Sequence, residues 1–367
     1  MTRNGAPRFA EDLLETYSNL PGVSGGEDAV RHAVIESVRD HVDTLEIDAM
    51  GSVVATIAPA ASRAVPVGRR KGAASGARRH GPHVMLCAHM DEVGLMVTAI
   101  EKDGRVRVRR VGGIDGRILV SQVFRVGPSG LPGVIGMLPP HLVPRAERDK
   151  VVAPEDLALD IGASSREEAA RHVSVGDYAV FDTVYERWGS VRKGKAFDDR
   201  VGCAVLASLV RRRPPVPVTA VWSVQEEVGL RGAAGAARRV GPDLAIVLEG
   251  TASGEIPGAK PEEAAPLIGG GPALTVQDRS LMADARLVDL LERTAKRNRI
   301  PTQWKRPGIG GTDAGRIAIS GAGIPAAVVS VACRYIHAPA AYLDVRDPER
   351  VVALVWKTLE ALRKEWP

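Results

Sequence analysis

Val84-Met85-Leu86-Cys87-Ala88-His89-Met90-Asp91-Glu92 opens as an apolar run and ends on a histidine and two acids. Such a run suits a strand covered on both faces, and the polar residues mark where it leaves the core. His89 and Asp91 stand two residues apart, so on an extended chain their side chains point to one side. A metal-binding imidazole needs a neighbouring carboxylate of this kind to fix its tautomer. The same pair also suits a surface or a hydrogen-bonded core, and by itself it defines only a strand end.

Downstream, short β-rich runs at residues 106–108, 118–120, 123–126, 134–137 and 178–181 alternate with Gly and Pro turns, the pattern of a small barrel or sandwich. Past about residue 181 the pattern changes. Helix 201–210, strand 218–224, helix 233–240, strand 244–248, helix 281–298 and strand 326–331 alternate, as in a layered βα sheet. Upstream, residues 9–17 and 27–42 repeat their apolar positions at helical spacing, as in Val30, Ala33, Val34 and Val38. A turn separates them, and a strand over 44–57, broken at Met50-Gly51, follows. Residues 58–81 are rich in Ala, Gly, Pro and Arg without periodicity, which predicts a flexible insertion. The expected fold is α/β. A layered domain with a mixed central sheet flanked by helices, residues 1–98 and 178–367, is interrupted over 99–177 by a small β-barrel-like domain.

At 367 residues, about 150 per domain gives two domains. Only 4% of residues are aromatic, which gives no stacking platform for single-stranded nucleic acid. The formal charge of +5 is spread along the chain, and its densest patch, Arg69-Arg70-Lys71 with Arg78-Arg79, falls in the 58–81 segment; no nucleic-acid partner is expected. Cys87, Cys203 and Cys333 are odd in number and lack CxxC spacing, so a reducing cytoplasm fits better than a disulfide framework. Neither a signal-peptide apolar stretch nor a run near the ~18 residues of a membrane span occurs, and a cytoplasmic protein without membrane contact is expected.

Acids and a second histidine recur where the layered part changes element. Asp198-Asp199 opens a helix, where one carboxylate is explained by capping and two are explained less well. The strand ending at Val224 runs into Gln225-Glu226-Glu227, the next ends on Glu249, and the last leads to His337. Ligand sites in open α/β sheets gather outside the carboxyl ends of strands. His89, Asp198, Glu226, Glu227, Glu249 and His337 then form a nitrogen and oxygen donor set suited to two divalent ions of the zinc, cobalt or manganese type. Cys87 reads as a packed core thiol, and Glu92 has no assigned role.

Four stretches in this order carry a resemblance: Ala88-His89-Met90-Asp91-Glu92-Val93-Gly94, Lys195-Ala196-Phe197-Asp198-Asp199-Arg200-Val201-Gly202, Gln225-Glu226-Glu227-Val228-Gly229-Leu230-Arg231-Gly232 and Arg334-Tyr335-Ile336-His337-Ala338-Pro339. Together with residues 21–27, 160–165 and 310–314, they resemble the glutamyl and deblocking aminopeptidases, two-metal peptidases known for tetrahedral dodecamers. The resemblance implies that His89 and Glu249 hold one ion and that Glu227 and His337 hold the other. It also implies that Asp198 bridges them, Glu226 is the general base and Asp91 orients His89. The β-rich insertion would be a dimerisation domain, and the partners would be peptides with a free amino terminus and further copies of the chain, from dimer to dodecamer. Glu249 stands where relatives often have Asp, and residues 58–81 look like an addition.

The expected function is metal-dependent release of amino-terminal residues from peptides. Two ions about 3.5 to 4 Å apart lower the pKa of water and polarise an amide carbonyl, and Glu226 would carry the proton. Adjacent residues leaving a strand diverge, so Glu227 can face an ion while Glu226 faces the water. The resemblance also implies an unusual, cis peptide between Asp198 and Asp199. A related two-metal deacylase or carboxypeptidase and a non-catalytic oligomeric assembly protein are the alternatives. The paired acids read better as ligands than as a glycosidase dyad.

Overall fold

A computed structural model describes residues 5–59, 81–139, 141–147, 157–260 and 265–366. The chain opens with helices α1 (Glu11–Asn19) and α2 (Asp28–Val38). Val30, Val34 and Val38 of α2 lie one turn apart and are fully buried. A hairpin of β1 (Thr44–Ile47) and β2 (Val53–Ile57) leads to β3 (Val84–His89).

The chain then enters β4 (Gly94–Ile100), β5 (Val106–Val111), β6 (Val123–Val126), β7 (Leu131–Ile135), β8 (Ala158–Asp160), the short helix α3 (Arg166–Ala169) and β9 (Tyr178–Phe181). These six strands close into a barrel in the order β4-β5-β8-β7-β6-β9, every pair antiparallel. Leu95, Val97, Phe124, Val126, Ile135 and Leu159 fill it, and the Phe124 and Phe181 rings stack with centroids 4.8 Å apart.

The remaining elements are β10 (Glu186–Trp188), β11 (Val191–Gly194), α4 (Phe197–Val210), β12 (Val218–Ser223), α5 (Arg231–Val240), β13 (Leu244–Ala252), β14 (Ala273–Leu274), α6 (Ala285–Asn298), β15 (Gln303–Trp304), α7 (Asp313–Ala318), β16 (Ala326–Cys333), β17 (Ala341–Asp344) and α8 (Arg346–Glu365). The main sheet runs β1-β2-β12-β3-β13-β16-β14-β15. Its four inner strands, β12, β3, β13 and β16, are parallel, with antiparallel pairing on either side at β2 and β14. Parallel strands need both faces covered. Along β3, Val84, Leu86 and Ala88 pack on the side of α1, α2, α4, α6 and α8, while Met85 and Cys87 pack on the side of α5 and α7. The expected fold class, a layered α/β architecture with a small barrel, is what the chain adopts.

Three local expectations change. Residues 118–120 are not a strand: Gly116–Ile118 form a 3-10 turn, because the Asp115 carboxylate accepts the Arg117 N–H at 3.0 Å and the Asp115 carbonyl accepts the Ile118 N–H. β13 does not stop before Glu249, since β16 pairs with it from Ala245 as far as Ala252. The insertion expected at 58–81 falls almost wholly on residues outside those described. Among the described residues no helix is long and apolar enough to cross a membrane.

Gly94 sits where the chain passes from the sheet into the barrel. A Cβ there would lie 2.4 Å from Val23 Cγ2 and 2.9 Å from the Ala179 carbonyl oxygen. Gly94→Val should therefore destabilise the protein by about 1–3 kcal/mol, read as a lowered midpoint in urea unfolding with an unchanged slope.

Candidate metal centre

Parallel strands deliver their ends to one edge: β12 and β3 end together, and β13 passes them and runs on to Ala252. Val247 pairs with Cys87, so two residues further on Glu249 stands beside His89 and shares its face. Glu249 Oε2 lies 3.6 Å from His89 Nε2. Glu226 and Glu227 follow β12 in a tight turn, with Gln225 and Leu230 both left-handed. His337, also left-handed, follows β16, and Asp198 opens α4 after a left-handed Ala196. The peptide bond between Asp198 and Asp199 is cis, as the resemblance implies.

Asp198 divides its two oxygens between the two histidines. Oδ1 lies 3.3 Å from His89 Nε2, and Oδ2 lies 3.3 Å from His337 Nε2. Glu227 Oε1 faces the same His337 nitrogen at 3.0 Å. Donor atoms of His89, Glu226 and Glu249 gather within 4.8 Å of one another, as do those of Asp198, Glu227 and His337 and those of Asp198, Asp199 and Glu249. Each expected site residue is therefore in this cluster or, like Asp91, directly behind it.

The tautomers follow from what each Nδ1 faces. His337 Nδ1 is 3.0 Å from the Gly113 carbonyl oxygen, and His89 Nδ1 is 3.1 Å from that of Asp91; a carbonyl only accepts, so the Nδ1 atoms donate. Both Nε2 lone pairs then point at carboxylate oxygens, and acceptors meeting acceptors call for a cation between them. Glu227 Oε1 and Glu249 Oε1 are buried without a hydrogen bond, Glu227 Oε1 even at its short distance from His337. Such orphaned oxygens are costly unless an ion satisfies them, and the residues present fit a divalent metal.

The electrostatics agree. Burial would lower His337, but the Asp198 and Glu227 carboxylates that face its Nε2 raise it to about 11, so this nitrogen takes up positive charge, proton or ion. Burial would raise Asp198, yet the same His337 and His89 hold its carboxyl well below the usual range. Burial pushes Glu226 up, helped by Asp313, Glu227 and Asp198, and it pushes Glu249 up, helped by Asp199. The pocket thus favours added positive charge.

Behind the donors stands Asp91, fully buried. Oδ1 accepts the Glu226 N–H at 3.0 Å, and Oδ2 accepts the Glu227 N–H at 3.1 Å and the Ser24 hydroxyl at 2.6 Å. Oδ1 also lies 3.4 Å from His89 Nδ1. Asp199 accepts the His89 N–H at 3.2 Å and caps α4 through the Gly202 N–H at 2.9 Å. Several supporting residues escaped the sequence reading. Glu27 accepts the Gly25 and Gln225 N–H groups, and Asp313 accepts the Ser223 hydroxyl at 2.5 Å. Both lie in stretches that carried the resemblance, but no spacing rule distinguished them. Glu92 pairs with Lys195 at 2.7 Å and with Arg200 at 3.1 Å, all three buried.

Parallel strand ends that crowd imidazoles and carboxylates around a cation-seeking space define a hydrolase of the metallopeptidase type. The sequence profile of the M42 glutamyl aminopeptidase family matches residues 72–354, and the chain belongs to that family. It is 32% identical to the lysyl aminopeptidase of Pyrococcus furiosus over 361 residues, 96% of this chain and 97% of that one. The solved TET aminopeptidase of Thaumarchaeota archaeon SCGC AB-539-E09 is 36% identical, with a TM-score of 0.86 over 96% of this chain and 98% of its own. The TET1 peptidase of Pyrococcus horikoshii, which can assemble into a tetrahedron or a large octahedral shell, is 31% identical, with a TM-score of 0.78 over 95% and 98%.

Asp91→Asn leaves one fewer acceptor for three donors and puts an amide N–H against one of them. Metal affinity measured by calorimetry should fall about 10- to 100-fold, with far-ultraviolet circular dichroism unchanged.

Proposed function

We propose that the protein is an aminopeptidase that releases amino-terminal residues from peptides, using two divalent ions of the zinc, cobalt or manganese type. In this reading His89 and Glu249 would hold one ion, Glu227 and His337 would hold the other, and Asp198 would serve both. The observation that carries it is the split of Asp198, one oxygen toward each Nε2. When bound, the ions supply Lewis acidity toward the scissile carbonyl and lower the pKa of water.

The chain's own groups do the rest. Glu226 takes a proton from the attacking water at a carboxylate oxygen and delivers it to the departing amine nitrogen, a task suited to a carboxyl that burial has made more basic. Asp91 fixes the turn that carries Glu226 and Glu227, so that one acid serves the proton while its neighbour serves as ligand. Surplus carboxylate near the ions suits a free α-amino group. The left-handed backbone at Gln225 and Leu230 brackets this turn, and the Asp91 bonds hold it in place.

The barrel is read as the surface for self-association. Val123, Val134, Met137, Leu138 and Leu142 are between 41% and 63% exposed there, an apolar strip that a second copy would cover. A cytoplasmic setting fits the three free, buried cysteines.

Three outcomes are expected. Short peptides with a free amino terminus lose residues one at a time, their acetylated forms are spared, and chelation stops the reaction until zinc, cobalt or manganese is restored. Cleavage of acetylated peptides would favour a deacylase or carboxypeptidase instead. Glu226→Gln should lower kcat by about 10² to 10⁴-fold while elemental analysis finds the metal content unchanged. Multi-angle light scattering should give a mass at least twice the 38.9 kDa of one chain, and a monomer would remove the barrel's proposed role.

A further inference from the structure

Away from the ligands, three aromatic rings stand together on an outer face. The three-stranded sheet β10-β11-β17 turns Arg187 and Arg192 inward to Glu11 of α1 and Leu343 into the core. Alternation therefore puts Trp188, Val191, Lys193 and Tyr342 on the opposite face. The Trp188 and Tyr342 ring centroids lie 6.2 Å apart, and Tyr335 meets Tyr342 edge-on at the same 6.2 Å. Trp188 is 58% and Tyr335 42% exposed, so the rings are not spent on the core. Lys193 and Glu186 neutralise each other on this face at 2.7 Å. In a chain with 4% aromatic residues, a neutral aromatic group at the surface is the composition of a binding face.

The group runs across the strands toward the metal centre. Strand order carries it from β10 over β11 to β17, and an isolated bridge between Arg334 and Tyr342 continues it to Tyr335. That bridge is closed from both sides, the Arg334 N–H donating to the Tyr342 carbonyl oxygen at 2.9 Å and the Tyr342 N–H to that of Arg334 at 3.1 Å. Tyr335 has a left-handed backbone, with φ of 57°. A bulky residue resists that conformation, and the structure around it has to enforce it. Next in the chain, Ile336 lines an open cleft of about 440 Å³ that His89, Glu226, Glu249 and His337 line as well. The spacing of the rings has a counterpart in a peptide. Side chains on one face of an extended chain recur at about 6.6 Å, twice the rise per residue, so successive rings match every second residue.

We infer that Tyr335, Tyr342 and Trp188 form a docking strip for the carboxyl-side part of the peptide substrate, which lies extended across them with apolar side chains at alternate positions; this rests on the aminopeptidase reading above. Two steps of 6.2 Å span about four residues of extended chain. The strip therefore favours peptides of about five residues or more and takes no part in bond breaking. Its inner end adjoins the segment that carries His337, which suits a chain whose first residue is held at the metal centre.

The test uses the metal-loaded native protein, Trp188→Ala, Tyr342→Ala, Trp188→Phe and Tyr342→Phe. Leu-Ala-Leu-Ala-Leu and Leu-Ala-Ser-Ala-Ser share the first two residues and differ at the alternate positions beyond. In the initial release of the first leucine, the native protein should prefer the apolar peptide about 10-fold in kcat/KM, from two partly buried side chains, with the difference carried by KM. Each alanine variant should bring the two peptides to within about threefold of each other, and the phenylalanine variants should keep most of the preference. Equal handling by the native protein, or a preference that survives both alanine variants, overturns the inference and leaves the aminopeptidase reading standing. A smaller mass of Trp188→Ala in light scattering with the preference intact overturns it too, and gives the face to a second copy of the chain. If no leucine is released from either peptide, the aminopeptidase reading falls, and calorimetry with the same two peptides decides for the strip. Tighter binding of the apolar peptide that is lost in the alanine variants upholds it, and any other result overturns it.

Discussion

One carboxylate holds the centre together. Asp91 takes the main-chain N–H of Glu226, that of Glu227 and the Ser24 hydroxyl, and it lies beside the His89 ring. It thereby ties the end of β3 to the turn after β12 and to the loop between α1 and α2. Burial alone would raise this carboxyl, yet its partnership with His89, Ser24 and the Glu226 N–H keeps it below its ordinary value. A charge held ionised in the core has to be surrounded by donors, and those donors belong to the segments that must be positioned. The two adjacent acids cannot drift without breaking hydrogen bonds to a buried anion.

The opposite demand governs the space in front. Asp198, Glu226, Glu227 and Glu249 crowd two imidazoles whose Nδ1 atoms are already committed to carbonyl oxygens. Repulsion among these acids is a strain that the fold tolerates because the parallel strands fix where each one leaves the sheet. The same repulsion is what gives the place its affinity for positive charge. Pre-organisation and instability are here one property: donors held too close to each other bind an ion without having to be gathered first.

Much of this was legible from residues alone. Buried β-runs and helical spacing located β3, β9, β12 and β16, and the acids and histidines after them located the centre, because a polar residue at the end of a buried strand has few explanations. Other features left no such trace. Glu249 looked like a strand end, whereas β13 continues through it, paired with β16; a glutamate inside a continuing strand has no local signature, since its tolerance comes from the neighbouring cluster. The two-residue strands β14 and β15 are too short for periodicity. The role of Asp91 toward Glu226 and Glu227 spans 135 residues of sequence, and no local pattern encodes a contact at that distance.

Glu92, which carried no assignment, accounts for why the centre stays put when the barrel interrupts the chain. It lies two residues before Gly94, where the barrel begins, and pairs with Lys195, just after β11, and with Arg200 in α4, which flank Asp198. Arg200 further donates to the carbonyl oxygens of Tyr17, Leu20 and Met90, and Lys195 donates to that of Leu20. Burial pulls Lys195 down to about 8, Glu92 working against it. Two cations against one carboxylate would be poorly balanced on their own; the carbonyl oxygens supply the remaining acceptors. The departure to the barrel and the return from it are thereby clamped at one point. His89 and Asp198, separated by the whole of the inserted strands, meet within 3.3 Å because the chain on either side of them is held by the same buried network.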